Sequence, residues 1–392
     1  MKKIGLENPI YIIEGLRTSI ASANKSLKNF SSAQLAGFVI KEMVRRHGAN
    51  RKALSEILLG NTVSAGTGQN IARQAAILAG VSEKIPSVTI NNVCGSGLQS
   101  VLLAARTLLA GEAEMILAGG TESASQCPLI IRSGPTRSPQ EPISSLFYDG
   151  LFCSITQKSM GQLAEDLAQK HRISREEQDE YALLSHQKAC RAQKEGFFKK
   201  EIVPIRNAGA HVVDSDGHPR ENLEMEMLSV LPPAFIKNGS ITSGNASSPC
   251  DGSAVMLLAQ RDFIRKKKIK PKARIIDYAS VMIDPRYCFE GAVVAVQECL
   301  KKSGLTVKDI DLFEVCESFA AQAIFAKNKL RIPDEKLNVW GGDIALGHPL
   351  GSAGTRILVT LMNALETLGK KAGVAVICYG GGGAVAVAIE AV

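Results

Sequence analysis

Two helical segments that are apolar around their whole circumference constrain this chain more than any other feature. Over residues 96–110, Leu98, Val101, Leu102, Leu103, Ala104, Ala105, Leu108 and Leu109 wrap right around the axis; over residues 352–368, Ile357, Leu358, Val359, Leu361, Met362, Ala364 and Leu365 nearly do so. A helix on a protein surface shows one apolar stripe, whereas a helix apolar on every side is buried on every side. The simplest arrangement puts both in a middle layer between two sheets, with amphipathic helices covering the outside. With 392 residues, 45% of them hydrophobic, the chain can bury such a core and is long enough for two or three domain-sized units.

Periodicity predicts an extended segment over residues 9–14, a helix over 32–47, a strand over 56–63, a helix over 70–79 and a strand over 87–93. The first buried helix and a strand over 114–119 follow. The same order returns from residue 272: extended 273–282, helix 292–303, strand 311–315, helix 319–330, a Gly-rich turn, the second buried helix, and closing strands over 374–379 and 384–389. The recurrence indicates a structural duplication, and alternating strand and helix argue for a mostly parallel sheet. Residues from about 122 to 245 break the order with Pro- and Gly-rich stretches and short helices such as 176–194. They read as an insertion between the halves, with a binding or assembly role.

Composition narrows the function classes. Thirty-five glycines against 5% aromatic residues point to tight turns and close backbone packing. The net charge is +8, and its densest run, Arg265, Lys266, Lys267, Lys268, Lys270 and Lys272, has no aromatic residues among it. Such a run reads as a solvated helix end or linker rather than a nucleic-acid contact, while a mildly positive field attracts a phosphate-bearing ligand. The nine cysteines, Cys94, Cys127, Cys153, Cys190, Cys250, Cys288, Cys299, Cys316 and Cys378, show no CxxC pair or zinc-ligand spacing. A reducing compartment with one or more working thiols, and no metal, is expected. Met1-Lys2-Lys3 precedes an apolar run, with Tyr11, Ile12 and Ile13, that is too short for a signal-peptide core. No stretch free of Gly and polar residues has the length of a membrane span, so a cytoplasmic protein with no membrane partner is expected.

Each buried helix is preceded by a sharp turn that holds a reactive side chain. In Val93-Cys94-Gly95-Ser96-Gly97 a strand ends and a helix starts at once; helix N–H groups and the dipole there favour a thiolate, and Gly95 and Gly97 are expected to let substrate approach the backbone. A lone cysteine at a turn is most often only a small buried residue. The partner turn, Gly347-His348-Pro349-Leu350-Gly351-Ser352-Ala353-Gly354, puts His348 ahead of the second buried helix, although a single His is more often a hydrogen-bonded structural residue. Cys378-Tyr379-Gly380-Gly381-Gly382-Gly383 ends a strand in four glycines, which either free N–H groups for an oxyanion or merely make a hairpin. Two cysteines and one His, each at a Gly-lined turn at a sheet end, together favour a site.

The segments around Cys94, Glu317, His348 and Cys378 resemble the signature blocks of the thiolases. The resemblance extends through Gly66-Thr67-Gly68-Gln69-Asn70, Ala118-Gly119-Gly120-Thr121-Glu122-Ser123 and Ser243-Gly244-Asn245-Ala246-Ser247, over nearly the whole chain and in the right order. It implies an α/β, five-layer αβαβα fold of two duplicated halves, residues 1–121 with 246–271 and residues 272–392, plus a loop domain over 122–245 for CoA binding and oligomerisation. It implies a homodimer or homotetramer that acts on acyl-CoA and CoA, with no permanently bound cofactor. By the same resemblance Cys94 takes an acyl group from a thioester while His348 accepts its proton. Cys378 removes a proton from the second acetyl-CoA or returns one in thiolysis, and the N–H groups of Cys94 and Gly380 hold the oxyanion. Arg220, Ser247, Met160, Phe235, Ala246 and Phe319 are the implied CoA contacts, Ser247 on the pantetheine arm and Arg220 at the nucleotide end.

Several positions depart from the family pattern. Cys316 stands where most thiolases have an Asn, or in some branches a His, that orders a water in the second oxyanion hole, and a thiol donates only weakly. Loss of one oxyanion donor typically costs about a hundredfold to a thousandfold in rate, so a working but altered thiolase is expected. Ser159 stands where acetoacetyl-CoA thiolases commonly have His, Cys288 where they have Met, with Phe289 adding bulk, and Gly383 where they have Gln. These changes are expected to reshape the acyl and pantetheine pocket. Beside acetoacetyl-CoA-type acyl transfer stand two alternatives: hydrolysis or transfer to another acceptor from the same acyl-cysteine, and a non-condensing acyl-CoA binding paralogue.

Overall fold

The computed structural model describes residues 6, 8–47, 54–131, 141–206 and 211–392; the Met1-Lys2-Lys3 start lies outside them. The first half holds β1 (Ile10–Thr18), α1 (Ser32–Arg46), β2 (Glu56–Gly60), α2 (Ile71–Leu78), β3 (Ser87–Ile90), α3 (Ser96–Leu109) and β4 (Met115–Ser123). Helices α4 (Met160–His171) and α5 (Arg175–Lys194) belong to the insertion, and β5 (Cys250–Gln260) and α6 (Arg261–Lys267) follow it. The second half holds β6 (Ala273–Met282), α7 (Gly291–Ser303), β7 (Leu312–Val315), α8 (Ala320–Leu330), α9 (Leu350–Leu368), β8 (Ala372–Tyr379) and β9 (Gly383–Ala391).

These strands form one continuous ladder in the order β7-β8-β9-β6-β1-β5-β4-β2-β3. The mostly parallel sheet expected from the alternation is found only at the two ends, where β7 runs parallel to β8 and β2 to both β3 and β4. The middle pairings, β8-β9, β9-β6, β6-β1, β1-β5 and β5-β4, are all antiparallel. Helical crossovers force parallel neighbours, but β5 enters from the insertion and β9 from a hairpin, and neither route does. The duplication shows in the pairing register: β1 slips between Ile12 and Glu14 against β5, and β6 slips between Ile275 and Asp277 against β9.

Side chains that alternate along each strand divide the core into layers. On β5, Ala254, Met256 and Leu258 face the central cluster, while Val255, Leu257 and Ala259 join α1 on the other side. On β9, Val385, Val387 and Ile389 face the centre, while Ala384, Ala386 and Ala388 face α7. Helices α3 and α9 pack on each other in the central cluster, α9 touching strands of both halves. The result is five layers, helix–sheet–helix–sheet–helix. Helix α9 is buried without a break from Leu350 to Leu365, whereas α3 surfaces at Arg106 and leaves Leu103 and Leu109 half-buried. The basic run is the exposed end of α6, except that Lys272 pairs with Glu14 at 2.6 Å.

Glycines set how closely the middle layer approaches. A Cβ on Gly97 would stand 2.7 Å from Thr355 Oγ1 and 2.8 Å from the Gly351 carbonyl oxygen, and one on Gly120 would overlap that same oxygen. Gly97 therefore serves helix packing, not the approach of substrate that the sequence suggested. Gly120→Val should destabilise the fold by more than the roughly 1–3 kcal/mol of ordinary overpacking, because backbone cannot swing aside. A denaturant midpoint unchanged from wild type would contradict this packing.

Candidate active site

The turn between β3 and α3 carries Cys94. Val93, just before it, has φ +51, a conformation that costs a β-branched residue energy and persists only where the surroundings enforce it. Here they do: the Val93 carbonyl accepts from the Thr62 hydroxyl at 2.9 Å and the Ser96 hydroxyl at 2.6 Å, and the Val93 N–H donates to Asn91 Oδ1 at 3.1 Å. The strained residue fixes the direction in which the chain enters α3, and with it the Cys94 side chain.

The turn before α9 carries His348, strapped to the segment ahead of β5. Its N–H donates to the Ser248 carbonyl at 2.9 Å, and its carbonyl accepts from Cys250 N–H at 3.2 Å. Imidazole Nδ1 lies 3.3 Å from Asp343 Oδ1 and 3.7 Å from Cys316 Sγ. Nε2 is buried with no hydrogen-bond partner among the described residues. Burial opposes charge on this imidazole, but Cys316, Asp343 and Cys94 outweigh it and hold the pKa well above that of ordinary histidine. Burial also pushes the Cys316 thiol up to about 12. The carboxylate of Asp343, held well below the usual carboxylate range by Arg356 and His348, also faces the ring.

Cys378 ends β8, and β8 returns as β9 through a tight turn with Gly381 at φ +87 and Gly382 at φ +91. The hairpin reading of the four glycines is correct. Gly380 nevertheless stands beside the Met160 thioether and borders a neighbouring cleft with Val93. Burial, reinforced by Cys288, Cys316 and Cys94 nearby, keeps the Cys378 thiol well above an ordinary cysteine pKa. Cys94, His348 and Cys378 line one narrow cavity, with Met160, Ser247, Phe289, Ser318, Phe319 and Tyr379 among its other walls.

The family descriptions Thiolase, N-terminal domain and Thiolase, C-terminal domain match residues 10–262 and 269–391. The chain belongs to the thiolase family. It is 41% identical over 388 residues to a probable acetyl-CoA acyltransferase of Staphylococcus aureus (strain COL), covering 97% of this chain and 98% of that one. Among solved structures, the Bacillus anthracis acetyl-CoA acetyltransferase superposes with a TM-score of 0.95 at 36% identity over the full length of both chains. The Acat5 thiolase from Ascaris suum, solved in complex with coenzyme A, gives 0.93 at 37% identity, covering 98% of this chain and all of that one.

Several sequence-level assignments change once this thiolase is seen folded. Gly95 faces the Tyr379 ring, which a Cβ would meet at 2.5 Å, so it makes room for a tyrosine rather than for substrate. Gly383 faces the same ring, and a side chain there would overlap it; a Gln at this position is incompatible with this tyrosine placement, itself held by Asn92 Nδ2 at 2.8 Å from its hydroxyl. Ser159 is the N-cap of α4, accepting from Gln162 N–H at 3.2 Å. Cys316 sits beside His348 Nδ1 and is not part of the cavity wall; Ser318, 3.8 Å from its sulfur, is. Glu317 accepts from Tyr181, Ser185 and Asn338, bracing α5 of the insertion against the second half.

The expected CoA contacts divide. Met160, Ser247 and Phe319 line the cavity, and the Ser247 hydroxyl donates to the Ser318 carbonyl at 3.0 Å. Ala246 bridges to Phe319 through the backbone. Phe235 stands edge-on to Phe319 at 5.9 Å and is 37% exposed, which puts it at the rim. Arg220 is exposed and outside the lining, its N–H donating to His186 Nδ1 at 3.1 Å.

Nothing in the sequence pattern marks Asp343 or Arg356 beyond a single acid in the otherwise neutral run from residue 337 to 355. Glu122, part of the Ala118–Ser123 motif, ties the segment after β2 to the start of α9. Its Oε1 accepts from Asn61 Nδ2 at 2.9 Å and Val63 N–H at 3.3 Å, and its Oε2 from Thr62 N–H at 3.0 Å and Gly351 N–H at 2.9 Å. Burial pushes this carboxyl up to about 7 against the pull of those donors. A carboxyl raised on folding stabilises fully below its unfolded pKa, and that contribution is lost as pH rises through its folded value. Between about pH 4.5 and 7 the Glu122 contribution should therefore fall. Glu122→Gln cannot accept at all four donors and should be less stable, with the difference from wild type varying over this window in denaturant titrations. A constant difference would count against the assignment.

Proposed function

We propose that this thiolase is an acetyl-CoA C-acyltransferase that forms or cleaves 3-oxoacyl-CoA, of the acetoacetyl-CoA type, by ping-pong chemistry through acyl-Cys94. The observation that carries this reading is the convergence of Cys94, His348 and Cys378 on one cavity. In the first half-reaction the Cys94 proton passes to His348 Nε2 and the thiolate attacks the thioester carbonyl. The C–S bond to CoA then breaks, and CoA leaves with the proton from His348. The N–H groups of Cys94 and Gly380 hold the oxyanion meanwhile. In condensation the Cys378 thiolate takes a proton from the methyl carbon of a second acetyl-CoA, that carbon attacks the thioester carbonyl of acyl-Cys94, the C–S bond to Cys94 breaks to release 3-oxoacyl-CoA, and the Cys94 thiolate takes up the proton held by Cys378; thiolysis runs the same steps backwards.

No resident cofactor is invoked, since a nucleophile, a base and oxyanion donors suffice. Met160, Ser247 and Phe319 at the cavity, with Ala246, Phe235 and Arg220 beyond it, are the residues proposed to meet CoA. The division into residues 1–121 with 246–271, 122–245 and 272–392 is proposed with it. So is a homodimer or homotetramer: β3 ends the ladder with Val88 45% exposed, and α2 beside it exposes Ile77 and Leu78. An open apolar edge of that kind is normally covered, and sedimentation tells dimer from tetramer.

The weak donor at Cys316 favours a second reading in which acyl-Cys94 is formed but resolved by water. One experiment separates these. Wild type incubated with acetyl-CoA should gain one acetyl group on the Cys94 peptide, and acetoacetyl-CoA should disappear only when CoA is added. No mass gain would leave binding alone, and CoA-independent loss would mean hydrolysis.

A further inference from the structure

The imidazole of His348 is flanked by a chain of buried charges that the proposed acyl transfer does not use. Asp343 lies in a single helical turn, Asp343–Leu346, just ahead of the His348 turn. Its Oδ1 is 3.3 Å from His348 Nδ1, its Oδ2 is 2.8 Å from Arg356 Nη2, and the same Oδ2 accepts from Glu317 N–H at 3.1 Å. Arg356, on buried α9, reaches Glu314 on β7 at 3.7 Å with its other nitrogen. Asp343 and Arg356 are both essentially without solvent access.

We infer that Asp343, anchored by Arg356, is a positioning residue that keeps a proton on His348 Nδ1, so that Nε2 faces Cys94 and the ring can carry the proton that Cys94 gives up. A buried carboxylate at one imidazole nitrogen fixes the tautomer and stabilises the imidazolium that forms when the other nitrogen accepts a proton. The inference rests on the acyltransferase reading for its catalytic meaning, but on geometry alone for the pairing. The other groups around the ring do not compete. Cys316 and Glu317 come from the β7–α8 turn, Cys94 from the β3–α3 turn, Cys250 from β5 and Glu314 from behind Arg356. Of the cysteines, burial holds Cys316 and Cys250 as thiols, and it raises both glutamates. Asp343 moves the opposite way: despite burial, Arg356 and His348 hold it well below the usual carboxylate range. Cys316, Asp343 and His348 bring ligand atoms within 4.8 Å of one another, yet Arg356 already neutralises the carboxylate that a divalent cation would need. That favours a role in orienting the imidazole over a metal site.

The test is Asp343→Asn, which keeps the shape and removes the charge. Alkylation of Cys94 by iodoacetamide, followed by mass spectrometry of its peptide over a pH series, should show an altered pH profile and a rate at neutral pH lowered about tenfold or more, because the imidazole beside the sulfur is less able to take and hold its proton. Turnover should fall by about tenfold to a hundredfold with KM for acetyl-CoA nearly unchanged. A variant that alkylates and turns over with the wild-type pH profile would overturn the inference. Should the variant not fold, nitrogen-15 spectra of the wild-type histidines, assigned with His348→Gln, decide instead. An imidazolium persisting above neutral pH supports the role of Asp343, and a neutral ring with bare Nδ1 at pH 7 refutes it. Neither alkylation nor the spectra need CoA, so failure of Cys94 to accept an acetyl group would sink the acyltransferase reading without deciding this one.

Discussion

Cys94→Ala should abolish acyl transfer in both directions, with a loss of about 10⁴-fold or more. No other thiol in the cavity can replace it. Cys378 is held as a protonated thiol by burial, and Cys316 does not form part of the cavity wall and is likewise protonated. The substitution removes one sulfur atom from a tight turn whose strain is held by Thr62, Ser96 and Asn91 rather than by the cysteine itself. The melting temperature should therefore stay close to that of wild type, which separates lost chemistry from lost structure. Acetylation of any other peptide at the wild-type rate would place the nucleophile elsewhere.

Cys378→Ala should divide the two half-reactions. Acetylation of Cys94 needs only Cys94, His348 and the oxyanion donors, so the variant should still gain an acetyl group, while condensation and thiolysis should fall by about a hundredfold to ten-thousandfold with the loss of a positioned acid or base. The sign of the pH dependence follows from the raised pKa of Cys378. Removing a proton from carbon requires its thiolate, a minor species at neutral pH, so wild-type condensation should rise with pH through the alkaline range. The residual rate of the variant should lose that rise. A variant that condensed normally would assign the carbon base to another group, and one that failed to acetylate would show that Cys378 also serves the first step.

The readings that held were local ones. The helices over residues 32–47, 96–110 and 352–368 differ from α1, α3 and α9 by only one or two residues at most ends, since the repeat of apolar side chains along a helix is written in neighbouring residues. The Cys94, His348 and Cys378 turns were legible for a similar reason: each puts a reactive side chain among glycines where a regular element begins or ends. What failed was non-local. The antiparallel centre of the sheet depends on how β5 and β9 enter it, and periodicity does not report the route of a connection. Gly95, Gly97 and Gly383 were read as openings for substrate or changes to its pocket, but their neighbours are Tyr379 and α9, hundreds of residues away for the first two.

By itself the sequence determined that two helices would be buried and that two cysteines and a histidine would stand at sheet ends beside them, because burial and turns are imposed by residues a few positions apart. Only the tertiary structure decided that the three share one cavity, that Glu122 reaches the start of α9 across 229 positions, and that Asp343 stands beside the histidine. Those outcomes are settled by distances of about 3 Å between groups remote in the chain, where desolvation and hydrogen bonding together choose which of them keep their protons.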